Sequence, residues 1–331
     1  MPRAAGYAGR SRRSGWTRLP RPPRRCPSSG STGRFSSLTA ASRSGRTPIL
    51  STVTRRTTMS SKNKGDVRSH FGLTSLPFTR EIPVERLWPH SQYQQAATEL
   101  KAAVEERMSA AIISPAGTGK TVVLRALKAA LPEARYRVHY VKLTDLCSRD
   151  FCKEVAVALG CSPAGYYGAL VRKVQDRAQA LLEQEGLRPV IILDEGHDMR
   201  PEVLAILRVL TNFEMDSRLV VSLVLAGQPS LKKTLRREEL ESVTRRLAHY
   251  ASLRLLTRDE IRDYVRHRLS IVGADHEVFD DAAYDALYEV GQGNLRATDH
   301  LALKSMEHAF QAGHKAVGAE HVTTARTKVM P

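Results

Sequence analysis

The sequence predicts an α/β fold, in which a parallel sheet is covered by helices on both faces. From Ala110 onward, short β-rich apolar runs alternate with longer amphipathic stretches, and this alternation is typical of repeated strand and helix units. One apolar run leads into a glycine-rich turn that opens a helix, and another ends in two carboxylates. Beyond Thr257 the strand-like runs almost stop, which predicts a small C-terminal α-helical lid domain.

The elements are expected in the following order along the chain. Ser91 is a plausible N-cap for a helix before the sheet. Strands are predicted over 110–113, 137–143, 189–193, 219–226 and 251–255. Helices are predicted over 91–107, from 120, over 149–160, 165–186 and 201–213, from 230, and over 258–272, 280–290, 295–312 and 319–328.

Charge is distributed unevenly along the chain. The net charge is +17, but residues 1–58 contain thirteen Arg and no Asp, Glu or Lys, so the rest carries only +4. Such a stretch cannot bury enough apolar surface to offset chain entropy, and we expect it to be disordered. A nucleic-acid-binding arm and a transit peptide are alternatives, but the composition changes at Met59, so we favour an upstream stretch translated in error. The expected regions are a 1–58 tail, a 59–109 N-terminal segment, a 110–256 core and a 257–331 lid.

Composition also excludes some classes of protein. The longest apolar run, Leu219 to Gly227, has about half of the roughly 20 residues needed to cross a bilayer, so we expect no membrane span. The four cysteines show neither a C-x-x-C pair nor a metal-binding spacing, and no apolar segment marks a secretory signal. A bacterial cytoplasmic location is expected.

The turn from Ser114 to Thr121 predicts a phosphate loop. It follows an apolar run and opens a helix, so its backbone N–H groups and the helix dipole would favour an anion. Lys120 would reach the β- and γ-phosphates of ATP, and the Thr121 hydroxyl would bind Mg²⁺. Ser114 stands where the general pattern has its first Gly. The residues expected around the nucleotide are Ser114, Pro115, Ala116, Gly117, Thr118, Gly119, Lys120, Thr121, Val122 and Asp194.

Asp194 and Glu195 follow four apolar residues, so both should emerge at the carboxyl end of a buried strand. Ligands of such sheets lie at that edge. Asp194 would hold Mg²⁺, and Glu195 would orient and deprotonate the attacking water. An acidic pair after a strand is by itself a weak signal, and the phosphate loop upstream strengthens it.

Other polar residues have two interpretations each. Gln228 follows the apolar run 219–226. It could position water, or it could only form part of a turn before Pro229. His197 could contact the γ-phosphate, although a lone His beside a loop is more often a surface residue. Arg245 and Arg246 lie in an expected polar helix, where one could reach a neighbouring subunit's ATP or be solvated charge. Arg296 opens a lid helix from which it could fold over the nucleotide.

The sequence resembles a known family, the AAA+ ATPases typified by the secretion protein ExeA (GspA) and the shorter transposon-encoded proteins similar to TniB, TnsC, IstB and Mu B. The resemblance covers 66–331. It implies that Gln228 and Arg296 are the first and second sensor residues, which respond to the bound nucleotide. It also implies that Arg246 is the arginine finger, the residue that reaches the ATP of a neighbouring subunit, and that the segment around Phe71 lies near the adenine. The motifs that carry it are His70 to Leu73, Pro77 and Phe78, the phosphate loop, Ile192 to Glu195, Asn212 to Arg218, Leu225 to Leu231, Arg245 to Leu247, Tyr264 to Leu269 and Gly293 to Arg296.

Two departures from the family pattern bear on the site. Arg245 stands where the family usually has Gln, which leaves the finger open between Arg245 and Arg246. Leu295 replaces a frequent Pro before the sensor arginine, so this turn is less constrained.

The resemblance leaves three functions open. Secretion members continue into a transmembrane helix and a peptidoglycan-binding domain, and this sequence stops at Pro331. The segments 82–85 and 212–218 look more like the transposon-encoded members. We therefore expect an ATP-hydrolysing DNA transposition regulator that forms a homo-oligomeric ring or filament on double-stranded DNA and recruits a DDE-type transposase. The alternatives are an ExeA/GspA-type secretion ATPase and an ATP-dependent scaffold or signalling switch.

Overall fold

The computed structural model describes residues 63–142 and 145–329, all within one compact unit, Thr58–Pro331. The predictions for residues 1–58 lie outside the described residues. Five parallel strands form one sheet in the order β2-β3-β4-β1-β5. The strands are β1 Ser109–Ile113, β2 Tyr136–Lys142, β3 Arg188–Asp194, β4 Ser222–Gly227 and β5 Leu247–Ala251.

Helices cover both faces of this sheet, as predicted. Along β3, Val190 and Ile192 face one apolar cluster, and Ile191 and Leu193 face the other. This is the alternation expected for a strand that is buried on both sides. The helices are α1 Asn63–His70, α2 Ser91–Glu105, α3 Lys120–Ala130, α4 Ser148–Ala158, α5 Tyr167–Glu183, α6 Pro201–Leu204, α7 Ile206–Leu210, α8 Pro229–Leu235, α9 Glu241–Thr244, α10 Arg258–Ser270, α11 Asp281–Gly291, α12 Leu295–Ala312 and α13 Ala319–Val329.

In the described part of the chain no strand follows β5, and α10–α13 form the expected helical lid. The helices α10, α11 and α12 begin at side-chain caps: Thr257 and Glu260 form a reciprocal capping box, and Asp280 and Asn294 each accept a backbone N–H. The exact boundaries between the N-terminal segment, the core and the lid stay predictions.

Three details differ from the sequence prediction. The last strand is Leu247–Ala251, four residues earlier than expected, and Leu253 and Leu256 are buried without belonging to a strand. The helix expected over 201–213 is two short helices that meet at Ala205. Arg245 caps the end of α9 and Arg246 immediately precedes β5, so these arginines do not lie within a helix.

No helix in the described ranges is both long and apolar enough to cross a membrane. The run that ends in β4 is a buried central strand, because β4 lies between β3 and β1.

Candidate functional site

A cleft of about 380 Å³ opens at the carboxyl edge of the sheet, between the strand ends and the lid. It is bordered by the start of α3, the end of β3, the residue after β4 and the start of α12. Ten of the candidate nucleotide-binding and catalytic residues line it: Ala116, Gly117, Gly119, Lys120, Thr121, Val122, Asp194, Glu195, Gln228 and Arg296.

The turn before α3 has the backbone of a phosphate loop. Gly117 and Gly119 have φ angles of 74° and 100°, values that glycine adopts without steric cost. The buried Lys120 ammonium donates hydrogen bonds to the carbonyls of Ser114 (2.9 Å) and Pro115 (2.8 Å). Burial lowers the pKa of Lys120, and Glu195 and Asp194 oppose that shift. The lysine therefore presents its charge inside the loop rather than in solvent.

Two residues of the expected loop stabilise it through hydrogen bonds outside the cleft. Ser114 is buried, and its hydroxyl accepts a 2.6 Å hydrogen bond from the Leu253 N–H, which ties β1 to the segment after β5. The hydroxyl of the buried Thr118 donates to the Pro115 carbonyl at 2.9 Å. Ser114, Pro115 and Thr118 do not line the cleft.

Asp194 ends β3 with its carboxylate held on both sides. One oxygen accepts the Glu195 N–H at 2.8 Å, and the other accepts the Tyr140 hydroxyl at 2.9 Å. Burial and the neighbouring Asp194 carboxylate raise the pKa of Tyr140. Tyr140 lies on β2 and was not singled out from the sequence; its position near the carboxyl end of a strand next to β3 is the signal that could have found it.

Glu195 and Gln228 face the same cleft and meet through His197. Glu195 adopts the left-handed φ of 59°, a conformation that is uncommon for a non-glycine residue and concentrates at functional sites. His197 contacts the Gln228 side chain and lies 3.5 Å from a Glu195 carboxylate oxygen. His197 is largely buried, so it is not the surface residue that the common interpretation of such a histidine expects.

The lid contacts the phosphate loop directly. Asn294 donates a 2.7 Å hydrogen bond to the Ala116 carbonyl, and the backbone N–H of Arg296 donates to the Gly117 carbonyl at 3.3 Å. A Cβ on Gly117 would lie 2.2 Å from the Asn294 side-chain oxygen. The sequence placed Arg296 near the site and missed the contact made by Asn294.

Phe78, Thr79, Arg80 and Ile82 also line the cleft, together with lid residues. Phe71, named from the resemblance, is buried in the core and does not line the cleft. Buried Arg268 pairs with Asp299 at 3.2 Å and donates to the Thr79 carbonyl. Burial raises the pKa of Asp299 to about 6.

Arg246 lies outside the cleft. Its guanidinium makes two hydrogen bonds to the Asp216 carboxylate, at 2.5 and 2.7 Å. Asp216 belongs to a turn of three consecutive residues with positive φ, Glu214 to Asp216, and Met215 between them is 97% exposed. Arg245 is exposed and pairs with Glu241 at the start of α9.

Charge in the cleft favours an anionic ligand that carries a hard cation. The Thr121 hydroxyl and the Asp194 carboxylate supply oxygen ligands of the kind that Mg²⁺ takes. Their position beside Lys120 at a helix N-terminus fits a phosphate-bound metal. Six cationic residues in the lining outnumber three acids: Arg80, Lys120, Arg125, Lys142, Arg268 and Arg296 against Asp194, Glu195 and Asp299.

The phosphate loop, the parallel sheet and the helical lid together define a P-loop AAA+ fold. Residues 103–235 match the model of the family described as AAA domain. The chain resembles Cdc6p from Pyrobaculum aerophilum, with a TM-score of 0.60 and 20% identity over 76% of this chain and 70% of that one. It also resembles Orc1 from Aeropyrum pernix, solved in complex with DNA, with a TM-score of 0.58 and 19% identity over 76% and 68%. At these identities the likeness shows the fold.

Among curated proteins the chain is similar to general secretion pathway protein A of Aeromonas hydrophila. The two are 29% identical over 253 residues, which is 75% of this chain and 46% of the relative. The chain thus spans about half the length of that relative.

Proposed function

We propose that this chain binds Mg²⁺-ATP in the cleft and hydrolyses it to ADP and phosphate. The observation that carries the proposal is the convergence of Lys120, Thr121, Asp194, Glu195 and Arg296 on one cleft, although they come from three separate parts of the chain. Electrostatic stabilisation and positioning account for most of phosphoryl-transfer catalysis, and these side chains supply both.

Each residue has a distinct part in this chemistry. Lys120 would neutralise the β- and γ-phosphates, and Arg296 would bring a second cation from the lid. Thr121 and Asp194 would hold Mg²⁺, which adds positive charge against the phosphate oxygens when bound. Glu195 would accept a proton from the water that attacks the γ-phosphate.

Two substitutions separate binding from hydrolysis. Lys120→Ala removes the buried phosphate counter-charge and should abolish ATP binding. Glu195→Gln should keep ATP binding and lose turnover by about 100-fold or more, in the range of general-base effects. Binding is measured with a fluorescent ATP analogue and hydrolysis by phosphate release. Lys128→Ala, on the last turn of α3, and Glu202→Gln, on α6, are exposed controls that should match the parent.

Parent-like turnover by Glu195→Gln would remove Glu195 as the base. Failure of the parent chain to bind ATP at all would overturn the proposal. Thermal unfolding of each variant establishes whether a loss of binding reflects a loss of folding.

Subunit assembly is part of the proposal. Arg246 does not reach the cleft of its own chain, which supports action on the nucleotide of a second copy. Its guanidinium is already held in a two-point contact with Asp216, so it is presented at a defined position. A homo-oligomer would then complete each site with an arginine from its neighbour.

Two cellular roles are proposed for this ATPase. Similarity to general secretion pathway protein A supports a secretion-type role. The expected role as a DNA transposition regulator rests on the segments 82–85 and 212–218. A transposase partner has no support beyond that resemblance, and the likeness to Cdc6p and Orc1 shows the fold alone. Of the two roles, the secretion-type role has the stronger support. A cytoplasmic location is proposed for either role.

DNA binding distinguishes the two roles. A transposition regulator should bind duplex DNA much more strongly with a non-hydrolysable ATP analogue than with ADP. Its binding should weaken with salt, with about −0.9 added to the log–log slope for each neutralised phosphate. Fluorescence anisotropy on a random duplex measures both. A chain starting at Met59 serves as the control against attraction by the Arg-rich tail. Equal and negligible binding in both nucleotide states would exclude the transposition role.

A further inference from the structure

His197 lies between two residues that the proposed hydrolysis uses. It belongs to the short turn Gly196–Asp198 after β3. One ring nitrogen, Nε2, contacts Gln228 Nε2. The other, Nδ1, lies 3.5 Å from Glu195 Oε2. The ring therefore connects the side chain that follows β4 with the carboxylate that follows β3.

The contact with Gln228 indicates which ring nitrogen of His197 is free to donate. An amide nitrogen can only donate, so His197 Nε2 is the acceptor in this contact and Nδ1 is the ring nitrogen left to donate a hydrogen bond. Nδ1 is buried and has no hydrogen-bond partner within bonding distance among the described residues. A buried donor without a partner is unfavourable. The Glu195 carboxylate is the acceptor beside it.

The turn that carries His197 has little freedom to move. A Cβ on Gly196 would lie 2.6 Å from a Leu225 methyl, so Gly196 packs against β4. A Cβ on Gly227 would lie 3.2 Å from the backbone nitrogen of His197. The side chain of His197 is 11% exposed, whereas that of Glu195 is 35% exposed. The histidine is therefore the fixed member of the pair and Glu195 the movable one.

We propose that His197 is a positioning residue that links Gln228 to Glu195. When Gln228 engages the γ-phosphate, its contact holds the ring with Nδ1–H directed at Glu195. Closing the 3.5 Å separation to a hydrogen bond then fixes the carboxylate against the attacking water. No proton passes through the ring, because Glu195 itself accepts the proton of the water. This inference rests on the proposed ATP hydrolysis.

Substitutions of His197 separate the contributions of its two ring nitrogens to the proposed link. His197→Asn keeps an amide donor near the position of Nδ1 and loses the reach to Gln228. His197→Gln keeps a polar group near the position of Nε2 and loses the donor to Glu195. His197→Ala loses both. Asp198→Asn is the control, because its carboxylate lies 3.6 Å from Nε2 but has no part in the proposed link.

Single-turnover hydrolysis and ATP affinity are measured for the full chain and each variant. His197→Ala and His197→Gln should hydrolyse about 10- to 100-fold more slowly at saturating ATP, the cost of misplacing a reacting group, with affinity within about threefold of the parent. His197→Asn should hydrolyse at a rate between those of the parent and His197→Ala, because it keeps the donor to Glu195 and loses the contact with Gln228. Asp198→Asn should match the parent. Parent-like hydrolysis by His197→Ala would overturn the link.

A double-mutant cycle tests the coupling itself, which a purely structural role of His197 would not produce. Gln228→Ala should slow the parent by about tenfold or more. In the His197→Ala background the same substitution should cost clearly less than it does in the parent, because the part of its effect that passes through His197 is already lost. Independent, multiplying losses would overturn the proposal.

A nucleotide-free readout separates this inference from the proposed ATPase activity. The ¹⁵N chemical shifts of the His197 ring, assigned by comparison with His197→Gln, should report the Nδ1–H form, and the opposite tautomer would overturn the link. Absence of hydrolysis by the parent chain would overturn both proposals. Parent hydrolysis that Glu195→Gln abolishes and His197→Ala leaves unchanged would overturn this one alone.

Discussion

Substitution of Gly117 tests whether the lid is docked on the phosphate loop as the structure shows. Gly117→Ala places a Cβ 2.2 Å from the side-chain oxygen of Asn294, in a residue whose φ is 74°. Gly160 is the matched control. Its φ is 79°, and a Cβ there would meet nothing within 4 Å. The two substitutions share the backbone cost, and only Gly117→Ala disturbs the lid.

The structure sets the expected magnitudes. A non-glycine residue in the left-handed region costs about 1–2 kcal/mol, and both variants should lose this much. Gly117→Ala must also expel the Asn294 side chain. That loses the hydrogen bond to the Ala116 carbonyl, about 1 kcal/mol, and the cap on the Ala297 N–H, about 1 kcal/mol. Gly117→Ala should therefore be about 2 kcal/mol less stable than Gly160→Ala.

Urea unfolding measures the free energy of unfolding of both variants, alone and combined with Asn294→Ala. Once Asn294 is truncated, Gly117→Ala should cost no more than Gly160→Ala. Equal losses for Gly117→Ala and Gly160→Ala in the parent would refute the docking of Asn294. So would an undiminished extra loss in the Asn294→Ala background.

Two further predictions concern the lid and the subunit interface. Hydrogen bonding, chiefly from Arg254, lowers the pKa of Glu260 from 4.5 to about 2. The ionised Glu260 therefore stabilises the fold above pH 4.5, and this contribution is lost as the pH falls toward 2. Glu260→Gln should therefore lower the free energy of unfolding most at neutral pH and least near pH 2, as urea unfolding at each pH would show. A difference between variant and parent that is the same at every pH would contradict this prediction. Arg246→Ala should bind ATP normally and lose hydrolysis in assemblies, with Arg245→Ala as the control, and mixing with Lys120→Ala protein should restore phosphate release. Normal turnover by Arg246→Ala assemblies would exclude it as the finger.

The phosphate loop and the acidic strand end were predictable because each is local in sequence. A loop that joins a buried strand to a helix needs small residues, and a buried strand followed by acids places them at the sheet edge. The structure also accounts for Ser114, the departure from the glycine pattern. Its hydroxyl accepts a hydrogen bond from the Leu253 N–H, and glycine has no side chain that could do so.

The predicted position of β5 was wrong because a continuous run of apolar residues is a poor guide to an edge strand. In Leu247–Ala251 only the two terminal residues are buried, whereas Ala248 and Tyr250 are exposed and His249 is half-buried. Leu253 and Leu256 form the more apolar segment, and they fill the core from a loop. Continuous apolar runs identify strands that are buried on both faces, such as β3 and β4.

Contacts between distant segments could not be predicted from local patterns. Tyr140 and Asp194 are 54 residues apart, Asn294 and Ala116 are 178 apart, and Asp216 and Arg246 are 30 apart. No periodicity relates such positions in a single sequence. Local patterns therefore named residues such as Lys120, Asp194 and Glu195, which line the cleft, but they could not name the distant partners that hold them.

The charge balance of the cleft explains why the lid and the phosphate loop should act together. Lys120 is buried, and the charge of Arg296 contributes to lowering its pKa, against the opposite effect of Glu195 and Asp194. Bringing two cations together without an anion between them is unfavourable. A polyphosphate at the loop would remove that repulsion and attract Arg296 in the same step. Ligand binding should therefore strengthen lid docking, and Asn294 and the Arg296 N–H already provide the uncharged contacts on which this docking is built.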